Sequence, residues 1–138
     1  MYENDPIFDT QDHHLIAWVG PLTPDQLDAY LDEPGDRADD EPYSDFMRDL
    51  GRWCDHDFLW AEASEQPLDI VALARQNGIN DPALIDELAQ RVAPQTAWNC
   101  LIILWNARLI DSRSRPSDLD GGKLICIGSW EHESPLTD

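Results

Sequence analysis

Trp98-Asn99-Cys100-Leu101-Ile102-Ile103-Leu104-Trp105 is the stretch on which the fold turns. Only Asn99 interrupts an apolar run of strand length, with no alternation to separate a wet face from a dry one. Such a run predicts a central strand buried on both faces. Lys123 to Trp130 has the same character and predicts a second one. Working towards the N-terminus, Phe58 to Ala63 fits a strand with Phe58 and Trp60 on one face and Leu59 and Ala61 on the other. His14 to Val19 is a short apolar run closed by Gly20-Pro21, a strand followed by a turn.

Helix signals lie between these strands. Thr23 is an N-cap with Pro24 at the first helical position and Gln26 completing a capping box, and Leu22 and Leu27 are spaced to staple across it. Leu27, Tyr30 and Leu31 share a face before Pro34-Gly35 ends the helix. Ser44 caps a second short helix with Phe46, Met47 and Leu50 inward and Gly51 as its stop. Pro67 to Gln76 predicts a third helix ended by Asn77-Gly78, and Asn80 caps a fourth carrying Leu84, Ile85, Leu88 and Val92. Strands at both ends with helices grouped between them predict an α+β fold, a small and mainly antiparallel sheet of about four strands with helices packed against it. The expected organisation is a single domain over residues 1–138, with a ragged segment at 1–13 and a long polar loop at 106–122.

A chain of 138 residues can bury roughly two-thirds of its unfolded surface and needs no metal or disulfide to fold. Cys54, Cys100 and Cys126 are widely spaced and odd in number, which argues against a secreted disulfide framework and against a structural zinc site. The N-terminus is acidic with no apolar run behind it, and the longest apolar run, Cys100 to Trp105, is far too short to span a bilayer. A cytoplasmic protein is the expectation.

The net charge of −19 is the most unusual feature. Residues 1–66 carry 18 Asp and Glu against three Arg, while residues 67–138 carry ten against six basic residues. An acidic, salt-adapted or GC-rich proteome can account for the total, but accounts less well for the skew. This much negative charge excludes direct binding to nucleic acid or to an anionic membrane face. Its complement is a basic protein.

No nucleophile elbow, P-loop or dinucleotide fingerprint is present, and no cofactor is expected. The one crowding of metal-ligand types is Asp55-His56-Asp57, together with His13-His14. Adjacent residues diverge on either a strand or a helix, so His56 with Asp55 and Asp57 supplies at most two ligands to one point. A metal-dependent hydrolase would need His13, His14 or His132 to complete the site. The plainer role for the triplet is a turn whose carboxylates cap backbone N–H groups. Of the six tryptophans, Trp18, Trp98, Trp105 and Trp130 fall in predicted strands and belong to the core. Trp53 and Trp60 lie among acids, as aromatic anchors of protein-binding surfaces do.

Trp18-Val19-Gly20 closes the first strand, followed by Leu27, Tyr30 and Leu31 on a helix. Ser44-Asp45-Phe46, Asp49-Leu50-Gly51, Asp55-His56-Asp57-Phe58 and the apolar strand from Asn99 to Leu104 come next. In this order the elements resemble the bacterial immunity protein 22 family, over roughly residues 14–106 and most specifically from Ser44 to Phe58. The acidic loop at 36–42, the excursion at 106–122 and a more developed last strand depart from the family pattern. The resemblance implies a non-enzymatic antitoxin that neutralises a toxin of a polymorphic or contact-dependent system. Charge adds that the cognate toxin domain is basic. The residues expected at its interface are Asp36, Asp39, Asp40, Glu41, Trp53, Asp55, Asp57, Trp60 and Glu62. An acidic adaptor without a toxin partner is the competing binding role. Docking through the acidic half requires its carboxylates to gather on one side of the molecule. Charge reversal at Asp39, Asp40 and Glu41 is expected to slow association with the toxin and flatten its salt dependence in stopped-flow measurements; unchanged kinetics would remove that loop from the interface.

Overall fold

The computed structural model describes residues 8–32, 44–54, 56–93, 95–110 and 124–133. Strand β1 runs Phe8–Gly20, followed by helices α1 at Pro24–Leu31 and α2 at Asp45–Leu50. A 3-10 turn at His56–Phe58 leads into β2 at Leu59–Leu68, then α3 at Ile70–Gln76, α4 at Pro82–Arg91, β3 at Trp98–Leu109 and β4 at Ile125–Glu131. The four strands form one sheet in the order β2-β3-β1-β4, and every pairing is antiparallel. This is the expected α+β architecture.

The sheet's two central strands, β1 and β3, are apolar on both faces, so the fold has cover on both sides. Alternate residues divide between two cores. Ile16, Trp18, Ile102 and Leu104 meet Leu27, Tyr30, Phe46 and Leu50 from α1 and α2. Leu15, Val19, Leu101, Ile103 and Trp105 meet Leu73, Ala74, Leu84 and Leu88 from α3 and α4. The period-2 geometry of a strand makes this division automatic.

Local chemistry sets the helix starts. Gln26 Oε1 accepts the Thr23 N–H at 3.0 Å, the half of the capping box that ties the N-cap backbone. Ser44 Oγ accepts from the Met47 N–H at 3.1 Å, and Gly51, with φ of 80°, closes α2 in the left-handed region by donating to the Met47 and Arg48 carbonyls. The Tyr30 hydroxyl donates to Asp49 at 2.6 Å and couples α1 to α2.

Several boundaries differ from the sequence expectation. Residues 8–13, expected to be ragged, extend β1, because Phe8, Asp9 and Thr10 pair with Leu109, Arg108 and Ala107. The same pairing carries β3 four residues past Trp105, into the segment expected to be loop from 106. Pro67 does not open a helix. It sits in edge strand β2, where a missing N–H is tolerated, and Asp69 caps α3 by accepting from the Ala72 N–H at 2.8 Å. Asp81, not Asn80, caps α4, through the Ala83 N–H at 3.0 Å. β4 is an edge strand and not a second doubly buried one: Trp130 alone is buried in it and Ile125 is 39% exposed. Of the four tryptophans assigned to the core, Trp18, Trp105 and Trp130 are buried and Trp98 is half-buried. Among the described residues no helix is long and apolar enough to cross a membrane.

Phe46 is the keystone of the first core. It is fully buried and meets Trp18 and Tyr30 edge-on at 5.4 and 5.6 Å. Phe46→Ala is expected to lower unfolding stability by about 3–5 kcal/mol, read from urea denaturation.

Candidate functional site

The site lies at one end of the sheet, where the central ladder is interrupted. Between Thr10 and Leu15 the register of β1 shifts, so that residues 11–14 stand opposite Asn106 alone. His13 and Asn106 both adopt the left-handed region, with φ of 60° and 56°, a conformation that Asn and His enter more readily than most side chains. Asn106 Oδ1 accepts the His13 N–H at 3.3 Å, and the His13 carbonyl accepts the His132 N–H at 2.8 Å. The bulge therefore presents Asp12, His13 and His14 at the rim and pins the end of β4 beside them.

His132 follows β4 and turns inwards, its side chain 12% exposed. Glu87 Oε1 lies 2.9 Å from Nδ1 and Asp81 Oδ2 lies 3.0 Å from Nε2, so both ring nitrogens are engaged by carboxylates. The Trp105 ring lies against the imidazole at 6.2 Å. The Asp81 carboxyl is held below the usual carboxylate range, first by the Ala83 N–H it caps and then by His132.

Trp60, His132 and Glu133 join Trp105, Ile79, Asn80, Asp81 and Leu84 around a cleft of about 250 Å³. Trp60 meets Trp105 edge-on at 5.6 Å. Asn77 holds this corner by donating to the Trp60 and Leu101 carbonyls at 3.3 and 3.1 Å. Through His132 and Glu133 the cleft continues into a second depression lined by Asp12, His13, His14 and Glu131. The two form one furrow, aromatic at one end and acidic with histidines at the other.

The arginines lie elsewhere. None of the described ones lines the furrow. Arg91 stacks on the Trp130 ring at 4.0 Å, Arg108 pairs with Asp9 at 3.3 Å, and both line a separate cleft beside residues 126–129 of β4. Asp81 caps the start of α4 and Arg91 is the last of its ten residues, which puts them about 15 Å apart along its axis.

Of the interface residues expected from sequence, the described ones are Trp53, Asp57, Trp60 and Glu62, and they do not share one side of the sheet. Asp36, Asp39, Asp40, Glu41 and Asp55 lie outside the described residues, as does the side chain of His56. Trp53 is 47% exposed but follows α2, between Arg52, which covers Phe8, and Cys54 of the first core. Trp60 packs against the opposite core, and Glu62 shares its face of β2 by strand alternation. The two tryptophans thus belong to opposite sides of the sheet. Asp57 is exposed in the 3-10 turn. Among the described residues, α1 and α2 with their caps carry Asp25, Asp28, Asp32, Asp45 and Asp49 against Arg48, while α3 and α4 with theirs carry Asp69, Asp81, Asp86 and Glu87 against Arg75 and Arg91, so both layers are net acidic. Among the described residues no group of three or more His, Cys, Asp or Glu is placed to hold a metal ion. Burial pushes the Cys100 thiol up to about 11, so at neutral pH it stays protonated.

Asp81, Glu87 and Glu133 were not singled out by the sequence. His132 stands 51 residues from Asp81 and 45 from Glu87, so no local spacing signals their meeting. The chain matches no known family model, no curated protein and no solved structure.

Because the folded state lowers the pKa of Asp81, its charge contributes stability above the ordinary value of 3.8 and loses it as pH falls through the folded value. Asparagine also caps helices well, so Asp81→Asn isolates the charge. The variant should be less stable than wild type near neutrality, and the two stability curves should converge once the pH is well below 3.8, as measured by urea denaturation across pH.

Proposed function

We propose that the protein is a cytoplasmic antitoxin, an immunity protein that binds and neutralises a basic toxin domain rather than catalysing a reaction. The observation that carries this is the furrow: acidic groups collect around partly exposed Trp60, and no described arginine lines it. In a chain of net charge −19 such a surface attracts a cationic polypeptide at long range, and its aromatic floor offers area that is desolvated on contact.

One of the furrow's three histidines has a structural role. Both nitrogens of His132 are occupied by Asp81 and Glu87, so the ring serves as a brace and neither nitrogen is open to a substrate proton. The likeness of Ser44 to Phe58 to the immunity protein 22 pattern points to the antitoxin role. A toxin that works on nucleic acid or nucleotides is the natural basic partner, since its own cleft must hold phosphates.

The test is genetic and then physical. A large secreted protein with a variable C-terminal domain is expected to be encoded beside this chain. Co-expression should restore growth to cells producing that C-terminal domain. The purified pair should form a complex whose association slows as salt rises. Growth that is not restored, or an association rate indifferent to salt, would sink the proposal.

A further inference from the structure

From the cleft between Trp60 and Trp105 we infer an arginine-binding pocket that takes one arginine side chain of the toxin, so the toxin docks on the α3–α4 side of the sheet. The inference rests on the antitoxin role and adds to it the docking point and the residue recognised.

The chemistry is that of a guanidinium site. Trp60 is half-buried and lines the cleft, with its ring set edge-on to Trp105. An indole face is the best aromatic partner for a cation, and a planar guanidinium stacks on it where an ammonium cannot. Asp81 and Glu133 border the same space with exposed carboxylates, the groups that guanidinium pairs with bidentately. A volume of about 250 Å³ is small for a drug-sized ligand but fits a single side chain.

A further observation points to a peptide as the carrier of that arginine. The cleft opens into the depression holding Asp12 and Glu131, which continues the negative surface along which flanking basic residues would lie. His132, braced by Asp81 and Glu87, is a positioning residue that fixes the Asp81 carboxylate at the rim.

The probe is N-acetyl-arginine amide, with N-acetyl-citrulline amide as its uncharged counterpart, titrated into the ¹⁵N-labelled full chain while the tryptophan indole resonances are followed. Arginine amide should shift the Trp60 indole resonance saturably in the millimolar range and leave Trp53 unmoved, and citrulline amide should do neither. Asp81→Asn combined with Glu133→Gln keeps the α4 cap and should weaken arginine binding at least about tenfold by removing charge-assisted hydrogen bonds. A static Trp60 resonance, an equal response to citrulline, or undiminished affinity in the double variant overturns the pocket. If the double variant loses arginine binding yet protects cells fully against the neighbouring toxin, the toxin does not dock here and the inference fails while the antitoxin role survives. If the wild-type chain binds arginine amide and protects against no toxin, the pocket stands and the antitoxin role fails.

Discussion

Two central strands that are apolar on both faces govern this molecule. β1 and β3 lie side by side with Leu15 to Val19 against Leu101 to Trp105, and neither face of that pair can be left to water. Each fully buried side chain of this size contributes about 1.5–3 kcal/mol through the hydrophobic effect. One layer of helices could cover only half of that surface. The chain meets the demand by sending its first two helices to one face and its next two to the other. The cores on the two sides oppose the self-repulsion of a chain with net charge −19.

The same pair of strands generates the candidate site where its regularity fails. Three extra residues of β1, four standing opposite Asn106 alone, with left-handed backbone at His13 and Asn106, break the ladder. Left-handed backbone at non-glycine positions costs free energy and persists where its surroundings hold it. Here the Asn106 side chain and the His132 backbone do so. Near the bulge Trp60 and Trp105 line the cleft. Polarity along α4 completes the picture: its N-terminal cap Asp81 faces the furrow, and Arg91 at its last turn faces the separate arginine-lined cleft.

Trp53 and Trp60 illustrate how far linear proximity misleads. They are seven positions apart and were expected to anchor one surface. The 3-10 turn at His56–Phe58 and the start of β2 carry the chain from the first helical layer into the sheet, after which strand alternation sends Trp60 to the far side. Among the described residues, acids stand on both sides of the sheet for a related reason. The first half of the chain supplies β1, α1, α2 and β2, and strands contribute side chains to both faces, so a charge-rich segment need not make a charge-rich side.

The sequence by itself determined what depends on local rules. The doubly buried strand at Trp98–Trp105, the capping box at Thr23, the Ser44 cap and Gly51 stop, and the α+β class were all legible, because capping geometry and apolar periodicity act within a few residues. What pairing decides was not legible: β1 starting at Phe8, Pro67 lying in an edge strand, and β4 standing at the rim of the sheet. Only the tertiary structure could join His132 to Asp81 and Glu87 and close a cleft between Trp60 and Trp105. Those contacts span 45 and more residues, and the order of strands in a sheet, not any motif along the chain, determines which distant side chains meet.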